Sequence, residues 1–242
     1  AQAVERGKGL LFVYVNYSGD NMNFDMAAEM LNDMGMTVRT VRVWDDVASA
    51  SKENYQDRRG IAGNVLVIKI AGAACASGLD LEEAYRVACK ARDNVFSIGV
   101  GLSGATIPGE EQPIFTLSND EMEYGLGIHG EPGVRRVKLQ SADEIAEELV
   151  NKLLADSGIQ AGDVVCTLVN SLGATTLLEL YIINRRLAQL LQERGIHVHD
   201  MDVGTYVTSL EMAGASITLM KLDDELRSYY DMPCRSPYYK KN

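Results

Sequence analysis

Leu10-Leu11-Phe12-Val13-Tyr14-Val15 is an unbroken apolar, β-prone run, and together with the residues after it this run narrows the chain to one class of fold. A strand that is apolar on both faces belongs in a sheet covered on both sides. The run ends at Asn16-Tyr17-Ser18-Gly19-Asp20. From Asn21 onward Met22, Met26, Met30, Leu31 and Met34 recur at helical spacing, until Gly35 supplies a stop. Residues 37–44 then read as a second strand. Strand, short polar loop, helix and strand make a βαβ unit with a right-handed crossover and parallel strands. The fold is therefore α/β, a class in which ligands gather at the carboxyl ends of strands. Asp20 stands at such an end, as a ligand-facing carboxylate or as a helix cap. The adjacent Asp45 and Asp46 come after the second strand in the same way and read as a solvated loop.

Further along, 52–63 is polar and reads as a surface loop, and the alanines of 63–77 favour a buried helix over a strand. Residues 80–94 form a helix with Asp80 as its N-cap and Glu82-Glu83 in its first turn. The charged junction Lys90-Ala91-Arg92-Asp93-Asn94 marks a boundary, beyond which the texture turns to glycine-rich strands. Extended pieces are expected at 96–102, 113–117 and 124–128. Ser141, with Glu144 three residues on, opens a helix over 141–155 through a capping box. A buried strand over 164–169 leads into a long helix ending at Arg194. Strands over 196–203, 207–210 and 216–222 and a short helix over 223–230 complete the pattern. The pattern divides into two α/β subdomains, 1–94 and 95–242, each a mixed or mostly parallel sheet flanked by helices. Since the sequence starts at Ala1 without a methionine and soon enters a buried strand, the first subdomain is expected to lack an upstream portion here.

Composition excludes several classes of function. With 34 acidic and 23 basic residues the net charge is -11, which argues against a nucleic-acid or anionic-membrane partner. No apolar run approaches the roughly 20 residues of a membrane span, and the first residues lack a signal peptide's apolar core. A cytoplasmic protein is expected. Cys75, Cys89, Cys166 and Cys234 are widely spaced with no Cys-x-x-Cys, which disfavours a zinc site or a disulfide framework. No metal is expected on this chain. His197 and His199 share one face of a strand and read as edge residues.

Two stretches match the dinucleotide fingerprint, Gly99-Val100-Gly101-Leu102-Ser103-Gly104 and Gly125-Leu126-Gly127-Ile128-His129-Gly130. Neither runs into a helix that would place its N-terminus on a pyrophosphate. There is no Gly-x-x-x-x-Gly-Lys-Ser/Thr loop either, so a phosphoryl donor would be held elsewhere. Gly101-Leu102-Ser103-Gly104-Ala105 fails the serine nucleophile elbow at its last position. The second glycine stretch, continued to Gly133, still sets one histidine in a backbone of small residues and a proline, built for close approach. An imidazole has a pKa of about 6.5 and is mostly neutral at neutral pH. His129 can therefore attack a carbonyl, act as a general base or ligate a metal, and Glu131 can orient its ring if this piece is extended.

Asn16-Tyr17-Ser18-Gly19-Asp20 with Met22-Asn23-Phe24, Asp45-Asp46-Val47, and Gly127-Ile128-His129-Gly130-Glu131-Pro132-Gly133 together resemble the substrate-binding subunit or domain of dihydroxyacetone kinases. Val169-Asn170-Ser171-Leu172-Gly173-Ala174-Thr175 and Tyr206-Val207-Thr208-Ser209-Leu210-Glu211-Met212 match in order, so the resemblance covers essentially the whole chain. It implies that His129 adds to the ketone carbon of dihydroxyacetone as a hemiaminal, and that Asp20 binds a substrate hydroxyl and acts as base toward the one that receives phosphate. It also implies a homodimer and a separate kinase subunit or domain carrying nucleotide and magnesium, rephosphorylated through a phosphotransferase system or supplied with ATP. Two departures stand out. An upstream Gly-Ser-Gly-His-Glu-Pro segment of the family has no counterpart here, and Val15 replaces a lysine common before the Asn-Tyr pair. Val15 admits a different short ketose, or a ligand-binding paralogue that acts as coactivator of a transcription regulator.

Overall fold

The computed structural model describes residues 1–241. It opens with β1 (Leu10–Val15), α1 (Ser18–Asp33) and β2 (Val38–Val43), and the two strands pair in parallel from Leu10 opposite Val38 to Val15 opposite Val43. The βαβ unit is as the apolar run dictates. Helix α1 begins three residues earlier than its methionine spacing indicates, so Asp20 lies inside its first turn rather than ahead of it. The methionines do not face the core. Phe24 stacks on Tyr14 with ring centroids 4.2 Å apart, and Ala28 and Leu31 join Leu10 and Val38. Met22, Met26, Met30 and Met34 form a second stripe on the outer side, each more than half exposed.

Helices α2 (Asn64–Ala76) and α3 (Leu81–Asp93) come next, then β3 (Val95–Gly101), β4 (Glu121–Tyr124), β5 (Arg135–Lys138) and α4 (Ala142–Ser157). The chain continues through β6 (Val164–Ser171), α5 (Leu177–Glu193), β7 (His197–Gly204), β8 (Gly214–Leu222) and α6 (Asp224–Tyr230), and ends in the small hairpin β9 (Cys234–Arg235) and β10 (Lys240–Lys241). Six strands form one mixed sheet in the order β5-β4-β3-β8-β6-β7, with β6 and β7 parallel and the other neighbours antiparallel. The fold is thus α/β with a small parallel sheet and a larger mixed one. Residues 113–117 and 207–210, expected as extended pieces, are irregular. The second is held instead by Asn170, whose amide donates to the Val207 carbonyl and accepts from the Tyr206 and Val207 N–H groups. These local bonds satisfy backbone groups that a sheet would otherwise pair. Strand β5, polar and mostly exposed, carries no apolar alternation and escapes a reading by pattern.

One apolar core packs α4 and α5 on a face of the six-stranded sheet through Ile145, Leu149, Leu153, Leu180, Leu187 and Val169. A second joins β2, α2 and α3 to the opposite face, where Val43, Leu66 and Val87 meet Leu168 and Met220. This second core crosses the junction at residues 94 and 95. Capping is local and strong: Asp80 accepts from the Glu83 N–H, and Ser141 with Glu144 and Thr176 with Glu179 form full capping boxes.

The segment after β2 binds the two sheets. Ser97 of β3 donates its N–H to the Asp45 carbonyl at 2.7 Å, and Val47 donates to the Ser97 carbonyl at 2.9 Å. Asp45 and Asp46 are consequently buried, 1% and 0% exposed, and not a solvated loop. The Asp45 carboxylate accepts from the Ile61 and Gly63 N–H groups, both at 2.8 Å, at the entry to α2. Nor is 52–63 a plain surface loop, because Arg58, Gly60, Ile61 and Ala62 are buried. A Cβ on Gly60 would meet the Val43 carbonyl at 2.3 Å and the Val15 Cα at 2.9 Å, so only glycine lets this segment lie across the ends of β1 and β2. Among the described residues no helix is long and apolar enough to cross a membrane, and the four cysteines are free thiols.

Candidate functional site

The end of β1 and the turn after β4 meet at one place. Beyond Val15, the Asn16 side chain reaches across to the segment before α2, its amide donating to the carbonyls of Gln56 and Arg58 at 3.0 and 2.8 Å. Its Oδ1 accepts from the Asn21 amide at 2.9 Å. This latch aims Tyr17, the N-cap residue of α1, at the glycine-rich turn. The Tyr17 ring packs edge-on against the His129 imidazole, with centroids 4.6 Å apart and planes at 74°. The hydroxyl of Tyr17 is buried without a hydrogen-bond partner among the described residues. Burial first, then the nearby Glu131 carboxylate, pushes that hydroxyl well above the ordinary phenol pKa.

His129 does not lie in an extended piece. Strand β4 stops at Tyr124, Gly125 takes a left-handed backbone with φ of 70°, and Ile128 and His129 form a turn closed at Gly130, φ 81°. Those two positive angles explain glycine at both positions. The turn nevertheless brings Glu131 to the ring, by folding back rather than by alternation. Its Oε1 lies 3.2 Å from His129 Nδ1, and its Oε2 accepts the His129 backbone N–H at 3.1 Å. A carboxylate accepts only, so Nδ1 carries the proton in this contact and Nε2 keeps its lone pair. The side chain of His129 is 58% exposed, so Nε2 is open to a small molecule.

Asp20 sits in the first turn of α1, one turn on from Tyr17, where the helix dipole favours a negative charge. It caps nothing: the N-cap residue is Tyr17, which makes no side-chain capping bond. Asp20 and His129 are not hydrogen-bonded to one another among the described residues; Tyr17 is what joins their two segments. Sequence reasoning missed the charged pair beneath them. Arg59 lies 2.9 Å from Asp46 Oδ2 through Nη2 and donates to the same oxygen from Nε at 3.2 Å. Burial pushes the Asp46 carboxyl up to about 7, against the opposing pull of the Arg59 guanidinium and the Ala48 N–H. The signal available in the sequence was Gly60 directly after Arg58-Arg59, a residue that permits the segment to lie close against β1 and β2.

Neither glycine fingerprint opens a helix, since one leaves β3 for an irregular loop and the other is the turn itself. Among the described residues no group of three or more His, Cys, Asp or Glu is placed to hold a metal ion. His197 and His199 lie exposed on the edge strand β7, and His199 Nε2 is 2.6 Å from Asp231. The arrangement around His129 is chemically suited to nucleophilic addition by a neutral imidazole whose second nitrogen faces a proton acceptor.

A family profile described as the Dak1 domain matches residues 1–238. The chain is 47% identical over 239 residues to the dihydroxyacetone-binding subunit DhaK of PTS-dependent dihydroxyacetone kinase 2 from Listeria innocua serovar 6a, covering 99% of this chain and 72% of that protein. It is 44% identical over 241 residues to L-erythrulose 1-kinase of Mycolicibacterium smegmatis, covering 98% of this chain and 42% of that longer protein. Among solved structures, the dihydroxyacetone kinase operon co-activator Dha-DhaQ superposes with a TM-score of 0.89 at 35% identity, over 96% of this chain and 72% of that one. The chain belongs to the Dak1 domain family.

Proposed function

We propose that this chain is the ketose-binding part of a kinase acting on dihydroxyacetone or a related short ketose, with His129 as a covalent trap. The observation that carries the reading is the His129–Glu131 contact at 3.2 Å, which favours the neutral tautomer with its proton on Nδ1 and the Nε2 lone pair free to act as nucleophile. In the addition, the Nε2 lone pair forms a bond to the ketone carbon while the C=O π pair moves onto oxygen. The proton lost from Nδ1 passes to Glu131, the new alkoxide takes one from water, and the hydroxide left behind recovers the proton from Glu131, giving a neutral hemiaminal and an ionised carboxylate. Glycerol has no carbonyl and cannot be held this way. Asp20 then takes the proton of the terminal hydroxyl as that oxygen attacks the terminal phosphoryl group of the donor nucleotide, and the rest of the nucleotide leaves with the electron pair of the broken P–O bond. The donor nucleotide and its magnesium reside on a partner subunit or domain, in a cytoplasmic assembly in which this chain is a homodimer.

The experiment is incubation with dihydroxyacetone labelled with carbon-13 at the ketone. We expect the carbonyl resonance to be replaced by a carbinol signal, the mass to rise by one ketose, and both changes to vanish in His129→Ala. An unchanged carbonyl resonance at saturating ketose removes the covalent reading. A second reading is favoured by the close superposition on the operon co-activator and by Val15, a ketose-binding subunit that controls transcription without transferring phosphate. Phosphorylation of the bound ketose by a nucleotide-loaded partner decides for the kinase; adduct formation without transfer decides for the co-activator.

A further inference from the structure

The segment between β2 and α2 carries two adjacent arginines that serve opposite sides of it. Arg58 reaches back to α4 and pairs with both oxygens of Asp156, at 2.8 and 2.6 Å. Arg59 turns to the His129 side. Its Nη2 donates to the carbonyl of Gly125 at 2.9 Å, which fixes the residue where the turn begins. A Cβ placed on Gly127 would stand 2.7 Å from Arg59 Nη1 and 2.1 Å from Glu131 Oε2. The guanidinium and the Glu131 carboxylate therefore converge over the bare face of that glycine, and each is in reach of the other's charge.

Arg59 is anchored at Asp46. Asp46 is fully buried, its Oδ1 accepts from the Ala48 N–H at 3.0 Å, and its backbone is bridged to Ser97 of β3. Ser49 adds a second anchor, its hydroxyl donating to the Asp46 carbonyl at 2.8 Å and accepting the Arg59 N–H at 2.9 Å. The Arg59 side chain is only 17% exposed, so its charge is weakly screened. Glu131 is 33% exposed, and Arg59 approaches it across Gly127 without a direct hydrogen bond. Without Arg59 the carboxylate would keep only the His129 backbone N–H to hold it in the turn, and the imidazole would divide more evenly between its two neutral tautomers.

We infer that Arg59, anchored by Asp46, is a positioning residue for His129: it holds the Glu131 carboxylate against Nδ1, so that Nε2 is the nitrogen presented to a carbonyl substrate. The substrate half of this statement rests on the proposed role of His129 as covalent trap; the tautomer half does not. Arg59 touches no reacting atom. It acts through Glu131 and through the Gly125 carbonyl.

The test is long-range proton–nitrogen NMR of the intact protein labelled in its histidines, with His129→Ala identifying the signals among the three residues. The variants are Arg59→Gln, which leaves Asp46 able to neutralise itself by protonation, and Arg59→Met with Asp46→Asn, which removes both charges of the pair together. In the unsubstituted protein we expect Nδ1 protonated and Nε2 bare. Either variant should mix the tautomers and weaken the dihydroxyacetone adduct by about tenfold or more, the scale of a charge-assisted hydrogen bond. Arg59→Lys, which keeps the charge, should retain affinity to within about threefold on the same scale. A folded Gln or Met/Asn variant that keeps both the tautomer and the adduct affinity overturns the inference. If the unsubstituted protein forms no adduct, the covalent reading falls, while the tautomer comparison still decides the role of Arg59.

Discussion

Asp46 shows how far a single side chain departs from the behaviour its neighbours in sequence suggest. Two adjacent acids after a strand read as solvent-facing, yet both are buried, and burial raises the pKa of both carboxyls, Asp46 to about 7. That direction fixes the sign of the pH effect. Between an unfolded value of 3.8 and a folded value of about 7, the folded chain keeps a proton that the unfolded chain releases. The contribution of Asp46 to stability is therefore fully present below about pH 4, falls as pH rises through that window, and levels off above about pH 7. A rise of this size sets a ceiling of about 4 kcal/mol on the change. Urea unfolding at pH 5 and pH 8 checks this: Asp46→Asn should gain stability relative to the unsubstituted chain on going to pH 8. An equal gap at both pH values would mean that Asp46 is ionised throughout.

At the scale of elements, the turn from Gly125 to Gly133 uses its glycines for different purposes, and substitution separates them. A methyl on Gly127 meets only the tips of Glu131 and Arg59, which can swing aside. A methyl on Gly133 meets the carbonyl oxygen of Tyr124 at 2.3 Å, backbone of β4 that cannot yield without breaking the sheet edge. Gly127→Ala should therefore keep its unfolding free energy within about 0.5 kcal/mol and lose most of the ketose adduct. Gly133→Ala should lose about 1–3 kcal/mol of stability. Thermal melts beside adduct titrations distinguish them, and a Gly127→Ala protein with normal adduct formation would show that Glu131 is not crowded. Legibility in the sequence divides along the same line. The βαβ unit, the Ser141 capping box and the Asp80 cap were readable because each depends on residues within one or two turns. The burial of Asp46 was not, since it depends on Ser97 and Arg59 arriving from other elements, and the two apolar stripes of α1 were not, since spacing alone cannot say which of them meets β1. His129 and Asp20 are paired by resemblance alone, with no hydrogen bond between them among the described residues; Tyr17, whose ring packs on His129 from the start of α1, carries no local signal.

For the whole molecule, the decisive contact is the one between Arg58 and Asp156, because it ties the segment that carries Arg59 to α4 and thus to the far face of the six-stranded sheet. The Arg58 side chain is 3% exposed and that of Asp156 15%, and Arg58 Nε also donates to the Ala50 carbonyl at 3.0 Å. Desolvating such a pair offsets much of its attraction, but leaving one member alone does not. Arg58→Met should cost about 3 kcal/mol, somewhat less than a fully enclosed pair because Asp156 retains contact with water. Arg58→Met combined with Asp156→Leu should recover at least half of that loss, giving a coupling energy of about 1.5 kcal/mol or more in a double-mutant cycle. Trp44, the only tryptophan, lines the same cleft as Arg58 and Asp156, so its emission reports the opening of this contact during unfolding. The single variant should also weaken the ketose adduct, since Asn16 grips the Arg58 carbonyl and the adjoining residue is Arg59. Additive losses in the cycle, with Trp44 emission unchanged by Arg58→Met, would show that the two faces of the molecule are held together elsewhere.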